Sequence, residues 1–195
     1  MREIIEMVIE FLKNQVETNS PIIGIIIGML VIILESMIPI LPLAVFIAVN
    51  MLVFGNILGF IISWISTIIG CLLAFTICRK GLSYIFYSKI KKDGKINKLM
   101  TKISNIKFTN LVIITALPFT PAFAVNIAAG LSTISYKKFL TAIIIAKISI
   151  VYFWGFIGTT FIESITNIKV LIELFIIILV AYIISKIVMK KFDIE

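Results

Sequence analysis

The segment Leu117-Pro-Phe-Thr-Pro-Ala-Phe-Ala-Val-Asn-Ile-Ala-Ala-Gly130 decides the fold, because it is apolar enough for a bilayer yet interrupts its own helix. Pro118 and Pro121 each lack a backbone N–H and clash with the preceding turn, so a regular helix breaks near them. Asn126 places a polar amide in the apolar run, and Gly130 follows two alanines, which allows backbones to approach closely. This pattern predicts a broken helix, which at membrane depth must face protein or a water-filled cavity. A spanning helix kinked at proline is the alternative.

A second segment repeats these features earlier in the chain. Pro39 and Pro42 precede the first pair by 79 residues, and an apolar run with an asparagine and a glycine follows them as well. Paired proline- or glycine-interrupted apolar segments in two halves of a chain indicate an inverted-repeat transporter fold, with a site at the repeat interface. A P-x-x-P pair also arises by chance in apolar sequence, so this pattern alone is weak support.

The composition is that of an integral membrane protein. Of the 195 residues, 61% are hydrophobic, and the mean hydropathy is +1.16. Several apolar runs approach about 20 residues, the length that crosses a bilayer. We expect one membrane domain over residues 21–195, preceded by an amphipathic helix over residues 1–20. The N-terminus lacks the basic and small-residue features of a cleaved signal, so we expect it to be retained.

Metal, cofactor and enzyme chemistry are not expected. The chain has no histidine, and its two cysteines, Cys71 and Cys78, are seven residues apart in an apolar run. That pattern disfavours a zinc site, haem or a disulfide framework, and predicts that both thiols pack in the core. No cluster of acid, base and nucleophile indicates catalysis.

The distribution of basic residues predicts the topology. Residues 79–109 contain nine Lys or Arg against the single acid Asp93, which is typical of a cytoplasmic loop. If segments 38–55 and 110–134 each enter and leave the bilayer on one face, 16 of the 18 basic residues are cytoplasmic. The positive-inside rule therefore favours two re-entrant hairpins, one from each face, with both termini in the cytoplasm.

The predicted fold is all-α, with about four full spans, two re-entrant helical hairpins in inverted repeat and the N-terminal amphipathic helix. The full spans are expected at residues 22–37, 57–78, 139–162 and 169–189. The aromatic residues 152–154 near the end of the third span are expected to form an interfacial belt. The wealth of Ile, Lys and Asn suits an AT-rich bacterial genome, so we expect a bacterial plasma membrane.

Apart from Glu173, one turn into the last predicted span, two ionisable residues, Glu35 and Lys147, are expected within or near the hydrocarbon. A charge at the bilayer centre costs about 2.5–3.5 kcal/mol on insertion scales, so such residues are usually paired or functional. Lys147 lies eight residues beyond Phe139, about 12 Å along a helix. We hypothesise that the two side chains are neighbours across a central groove. The alternatives are an interfacial acid at a helix end and a lysine buried for a structural reason.

The chain resembles the DedA superfamily, also called SNARE-associated or VTT-domain membrane proteins, over roughly residues 35–158. The residues that carry the resemblance are Glu35, Pro39, Pro42, Gly55, Gly59, Gly70, Arg79, Gly81, Pro118, Pro121, Asn126, Gly130, Phe139, Trp154 and Gly158. The resemblance implies two inverted re-entrant hairpins that meet in the bilayer. It also implies movement of lipids, either scrambling of glycerophospholipids or recycling of a polyprenyl-phosphate carrier.

The chain departs from the family in its second hairpin. Many bacterial members carry arginines there in an R-x-x-P-x-x-R pattern, whereas Thr115 and Pro121 occupy the arginine positions here. The chain is similar to a branch with P-x-x-P, so phosphate binding by an arginine pair and proton-coupled export are not carried over.

We therefore predict a non-enzymatic lipid transporter or scramblase whose partners are membrane lipids. The net charge of +8 is assigned to loops that face anionic lipid, and not to nucleic acid. The candidate translocation residues are Glu35, Pro39, Pro42, Pro118, Pro121, Asn126, Gly130 and Lys147. Two alternatives are a proton-coupled transporter of a small solute, with Glu35 as proton carrier, and a structural membrane factor that binds partners through residues 79–109. Lipid identity, energy coupling and homo-oligomerisation are left open.

Overall fold

The computed structural model of the chain describes residue 10 and residues 21–37, 43–80 and 94–192. These residues form helices joined by turns, which confirms the predicted all-α class. The helices are α1 (Pro21–Met37), α2 (Leu43–Phe54), α3 (Asn56–Lys80), α4 (Gly94–Asn105), α5 (Phe108–Ala116), α6 (Ala122–Leu131), α7 (Tyr136–Glu163) and α8 (Ile168–Lys191).

Some sequence predictions fall outside the described residues. The predicted amphipathic helix over residues 1–20 does so apart from Glu10, as do Pro39 and Pro42 of the first proline pair. The basic loop over residues 79–109 is described in part, and its second half contains α4, which packs against α6.

Three of the described helices, α3, α7 and α8, are long and apolar enough to cross a membrane. They coincide with three of the four predicted full spans and run past the predicted limits. The fourth prediction, residues 22–37, coincides with α1, which has 17 residues. At about 1.5 Å per residue, α1 is about 25 Å long, short of the roughly 30 Å of a typical hydrocarbon core. In the described part of the chain, three helices rather than four therefore have full spanning length.

The second proline pair ends one helix and begins the next. Helix α5 ends at Ala116, and Leu117 is extended with φ −80° and ψ 132°, the conformation favoured before a proline. The N–H of Thr120 donates to the Leu117 carbonyl at 3.3 Å, and α6 starts directly after Pro121. The predicted broken helix is confirmed, and the alternative of one continuous kinked helix is excluded here.

The α5–α6 segment returns to the end of the molecule from which it starts. The N–H of Thr133, just after α6, donates to the hydroxyl of Ser104, just before α5, at 3.3 Å. The Lys138 ammonium in the first turn of α7 donates to the carbonyl of Ile106. The two ends of the segment are thus held side by side, which is the geometry of a hairpin.

The short helix of each half of the chain packs against a long helix of the other half. Helix α2 packs against α7 of the second half, whereas α6 packs against α3 of the first half, and α3 also contacts α7. Small residues permit this approach, because a Cβ on Gly158 would lie 2.7 Å from the Ala44 carbonyl oxygen. A Cβ on Gly130 would likewise lie 2.6 Å from the Phe75 carbonyl oxygen. Close backbone approach at small residues is a usual means of packing helices in membranes.

The described residues form two apolar clusters in the interior. One is centred on Phe75, whose ring stacks on that of Phe139 with centroids 4.3 Å apart. The other joins α1, α2 and α7 through Ile32, Ile47 and Val151. Both cysteines are buried free thiols, as the sequence predicts. In a bilayer, close packing of this kind holds helices together, since lipid tails are as apolar as the side chains.

Helix α8 lies at the edge of the molecule. Leu174 and Ser185 are the residues buried on it, and its large apolar side chains are mostly exposed. Exposed apolar surface on this scale is typical of a protein whose solvent is lipid. The exposure of α8 therefore agrees with an integral membrane protein.

Candidate functional site

A cavity of about 400 Å³ lies where α1, α2, the α5–α6 turn and α7 meet. This volume is in the range of roughly 300–1,000 Å³ that is typical of small-molecule sites. Four of the eight predicted site residues line it, namely Glu35, Pro118, Pro121 and Lys147. The wall of the cavity is thus formed by residues far apart in the chain, from both of its halves.

Glu35 and Lys147 carry the charges of this cavity. Lys147, on α7, is 4% exposed, and Glu35 is half-buried near the end of α1. Both side chains line the same cavity. However, no hydrogen bond and no ion pair within 4.0 Å joins these two described side chains. The cavity therefore separates an acid from a base without a direct bond between them.

Two hydroxyl groups in the cavity wall have no partner among the described residues. They belong to Ser36, next to Glu35, and to Thr120, between the two prolines of the turn. Thr120 is 8% exposed, so its hydroxyl is almost fully withdrawn from solvent. A buried polar group without a hydrogen bond costs about 1–3 kcal/mol. These hydroxyls are therefore candidates to bind a polar ligand.

Trp154 also lines the cavity, and its predicted place in an interfacial belt stays a prediction. The Phe119 ring meets it edge-on, with centroids 5.6 Å apart, and meets Tyr182 of α8 at 5.5 Å. The tip of the α5–α6 turn is thus held between α7 and α8. Tyr152, two residues before Trp154, is 68% exposed and points away from the protein interior. Consecutive aromatic residues on a helix face different directions, so the three do not share one environment.

Asn126 and Gly130, also predicted as site residues, are placed away from the cavity lining. Asn126 is 2% exposed on α6, and its amide nitrogen lacks a hydrogen-bond partner within the described ranges. Gly130 packs against Phe75 and Cys78 of α3. Gly130 is therefore a packing residue, since a side chain there would collide with α3.

Arg79 binds the C-terminal end of α6. Its guanidinium donates to the carbonyls of Ala129 and Gly130 at 3.2 Å and to that of Ser132 at 2.7 Å. The same group lies 4.3 Å above the centroid of the Phe75 ring. The last carbonyls of a helix have no partner within it, so a cation that binds them stabilises the helix end. Arg79 thus fastens the hairpin to α3, a role that its place in a basic run did not reveal.

The sequence did not single out several residues that line the cavity, among them two hydroxyl residues and two aromatic ones, besides leucine and alanines. Ser36 follows Glu35 directly, and Thr120 lies between Pro118 and Pro121. This proximity to predicted site residues is the one local signal that marks the two hydroxyl residues. Trp154 lies seven residues beyond Lys147, two helical turns along α7, so the two share a face. That spacing is the signal that would have placed Trp154 beside the lysine.

Comparisons with known proteins match the central part of the chain. The model of the VTT domain matches residues 38–160. The membrane protein YhjE of Bacillus subtilis (strain 168) is 34% identical over 135 residues, which cover 69% of this chain and 65% of YhjE. The protein YqeD of the same organism is 26% identical over 125 residues, 64% of this chain and 60% of YqeD. The chain thus spans less than two thirds of the length of these relatives. No solved structure matches the chain.

Proposed function

Because the chain belongs to the VTT-domain, or DedA/SNARE-associated, family of membrane proteins, which is linked to membrane transport, we propose that it moves lipids between bilayer leaflets. The headgroup of a phospholipid or a polyprenyl phosphate passes through the cavity between the two halves of the chain. The acyl or prenyl tails stay in the hydrocarbon throughout. The protein acts without covalent chemistry, as a transporter or scramblase.

The observation that carries this proposal is the cavity itself, with its acid, its base and its two unpaired hydroxyls. A headgroup that crosses hydrocarbon alone loses its hydrogen bonds and the hydration of its charges, which is the main barrier to lipid movement. Glu35, Lys147, Ser36 and Thr120 offer charges and hydrogen bonds in place of that water. The barrier for the headgroup is therefore lowered beside the broken helix.

The break between α5 and α6 adds polar backbone at the same place. Pro118 and Pro121 have no N–H to offer the preceding turn, so carbonyls at the end of α5 are left without helical partners. Irregular backbone within a membrane lines a cavity or is buried in protein. The carbonyls next to the turn supplement the side chains as headgroup ligands.

The proposal places residues 21–195 in one membrane domain, with the α5–α6 segment as a re-entrant hairpin. The return of this segment to its starting end supports that placement. The concentration of basic residues between 79 and 109 supports a cytoplasmic loop and cytoplasmic termini in a bacterial plasma membrane.

Labelling of single cysteines tests the hairpin. In a background without Cys71 and Cys78, cysteines at Asn110 and at Ser135 are both expected to react with an impermeant maleimide from the cytoplasmic side of intact vesicles. Reaction of the two sites from opposite faces would show that residues 110–134 cross the membrane.

Reconstitution tests the activity. The purified protein is placed in liposomes that contain a trace of tail-labelled fluorescent phospholipid, and an impermeant reductant is added outside. Without protein, only the outer-leaflet label is quenched, whereas with protein we expect almost all label to be quenched as inner-leaflet lipid exchanges. Quenching that stays at the protein-free level would overturn the proposal.

A competing function is ion-coupled transport of a small solute, which the half-buried Glu35 in the cavity wall favours. Glu35 would carry the proton that drives such transport. Uptake of a solute driven by a pH gradient, without movement of labelled lipid, would support this function in place of lipid transport.

A further inference from the structure

A second cavity, of about 430 Å³, lies where the end of α2 and the start of α3 meet the second half of α7. Its wall is mainly apolar and aromatic, and includes Met51, Ile57, Phe60, Tyr152 and Phe156. Going beyond the proposed lipid movement, we propose that this cavity, the tail groove, binds one hydrocarbon chain of a membrane lipid that the protein holds and does not move.

Helix α7 separates the tail groove from the first cavity. Tyr152, Phe156 and Thr159, which line the groove, are four and three residues apart and share one face of α7. Lys147 and Trp154, which line the first cavity, are seven residues apart and share another face. At 3.6 residues per turn, the centres of these faces differ by roughly 150°. A chain in the tail groove is therefore separate from the proposed path of the headgroup.

The chemistry of the groove suits a hydrocarbon. None of the described residues that line it is charged. The Thr159 hydroxyl already donates to the Gly155 carbonyl at 2.8 Å, and the other polar groups, on Asn56 and Tyr152, belong to exposed residues. An apolar cavity of about 150 Å³ stays dry and binds a ligand such as benzene, so one of this size takes a longer chain. A water-soluble solute would find few partners inside.

The position of the groove explains why a membrane lipid is its ligand. Helices α3 and α7 are both long and apolar enough to cross a membrane. Ile57 and Phe156 are 79% and 47% exposed beside the groove, so this side of the two helices faces lipid chains. Asn56, the first residue of α3, lies at the end opposite Arg79, near the edge of the hydrocarbon. Its amide can donate to an ester carbonyl, as a glycerolipid has at the start of each chain.

Met51 distinguishes a chain seated in the groove from lipid that only surrounds the protein. It lines the groove but is 8% exposed, and it belongs to the apolar cluster that joins α1, α2 and α7. A Cβ on Gly155 would lie 2.5 Å from the Met51 Cε, so the missing side chain of Gly155 gives Met51 its place against α7. Methionine is flexible and adapts to an apolar ligand. Contact of a lipid chain with Met51 therefore reports that the groove is occupied.

Photo-crosslinking tests the occupant. The full-length protein is placed in phosphatidylcholine liposomes that contain a trace of phosphatidylcholine with a diazirine along one acyl chain, and adducts are mapped by mass spectrometry after irradiation. We expect an adduct on Met51 as well as on lipid-exposed residues such as Ile176 of α8, which is 52% exposed. Labelling of Ile176 without labelling of Met51 would overturn the proposal.

Two matched variants test the site. Thr159→Phe fills the groove, whereas Thr141→Phe places the same side chain on an exposed residue of α7 that lines neither cavity. Each hydroxyl donates to the carbonyl four residues earlier at 2.8 Å, so both variants lose the same hydrogen bond. We expect the Met51 adduct to be lost in Thr159→Phe and kept in Thr141→Phe. An undiminished adduct in Thr159→Phe that folds, judged by its melting curve, would overturn the assignment, and Thr159→Leu takes its place if it does not fold.

A lipid without a phosphate shows that the chain is what binds. Dioleoylglycerol is titrated into delipidated protein in detergent, and the melting temperature is measured. We expect a saturable rise of about 5 °C in the wild type and in Thr141→Phe, and none in Thr159→Phe. A wild-type protein that shows no rise would contradict binding of the chain.

A second copy of the protein is the other occupant that the test can detect. If another copy covers the groove, Met51 stays unlabelled, and Ile57→Cys in a background without Cys71 and Cys78 forms a disulfide-linked dimer in liposomes. That result would overturn binding of a lipid chain. Neither the adducts nor the melting temperatures depend on lipid movement, so failure of the proposed function and failure of this inference are observed separately.

Discussion

Helix α6 begins beside the cavity and ends against α3. The polar groups at its two ends differ in hydrogen bonding: those at the end are paired, whereas a hydroxyl at the start is not. At its start, the Thr120 hydroxyl is buried without a partner in the described structure, next to two prolines that cannot donate. At its end, the carbonyls of Ala129, Gly130 and Ser132 all accept from Arg79. Satisfied polar groups stabilise a fold, whereas unsatisfied ones cost free energy and are usually retained for a function. We therefore propose that the start of α6 is the functional end, whereas its other end is held by Arg79.

The largest effect on lipid movement is expected from Pro118→Ala combined with Pro121→Ala. Alanine allows the helix to continue through the turn, since proline in a helix interior costs about 3 kcal/mol relative to alanine. The polar backbone beside the cavity is lost, and lipid movement in the quenching assay is expected to fall to the protein-free level. Pro21→Ala, at the start of α1, is the control. Unchanged lipid movement in a well-folded double variant would show that the break serves the fold alone.

At the end of α6 that Arg79 binds, Arg79→Gln is expected to lower the free energy of unfolding. Hydrogen bonds to charged groups contribute about 1.5–3 kcal/mol each, and bonds that share one donor group are not additive. We therefore expect a loss of roughly 2–4 kcal/mol, measured by thermal or denaturant unfolding in detergent. The neighbouring Lys80→Gln is the control, because Lys80 is exposed. Wild-type stability in Arg79→Gln would mean that these hydrogen bonds do not fasten α6.

Coupling between Glu35 and Lys147 is expected to be intermediate in size. Lys147→Met and Glu35→Gln each leave one buried charge without its opposite, so each is expected to lower the melting temperature. The double variant is expected to recover part of the loss, with a coupling energy of about 0.5–3 kcal/mol. Strict additivity in this double-mutant cycle would show that the two charges act independently, which would favour Lys147 as a lone phosphate ligand.

The smallest effect is expected from two threonines of the same segment. Thr120→Val removes an unpaired hydroxyl at nearly constant shape, so stability is expected to rise by about 1 kcal/mol or less while lipid movement slows. Thr115 is the matched control, since its hydroxyl already donates to the Leu111 carbonyl at 2.6 Å. Thr115→Val is expected to leave lipid movement unchanged. A decrease in stability for Thr120→Val would indicate that its hydroxyl has a structural partner.

Local features of the fold could be predicted because they depend on neighbouring residues. Pro118 and Pro121 break the helix through a missing N–H and a clash with the preceding turn, whatever the rest of the chain does. The limits of α3, α7 and α8 follow from apolar runs of sufficient length, and the burial of Cys71 and Cys78 follows from their place in such a run. Residues 22–37 were also predicted to be a full span; the helix found there, α1, has 17 residues, and its crossing of the bilayer stays a prediction.

The candidate site could be predicted only in part. Glu35 and Lys147 were conspicuous because charges are rare in apolar segments, and the structure places both in one cavity with Pro118 and Pro121. Gly130 was assigned to the same site, although its missing side chain serves a contact with Phe75. A glycine has the same appearance in a sequence whether it makes room for a ligand or for a neighbouring helix, and the packing partner distinguishes these cases.

The sequence by itself determined a helical membrane protein of the VTT-domain family with a helix break at the second proline pair, because hydropathy and proline chemistry act over a few residues. Tertiary structure alone decided which distant residues meet. Glu35 and Lys147 are 112 residues apart in the chain, and they share a cavity because α2 packs on α7 and α6 packs on α3. The same packing brought Arg79 to the end of α6 and left Ser36 and Thr120 without partners among the described residues. These outcomes depend on the fit of helix surfaces, which no local pattern of residues specifies.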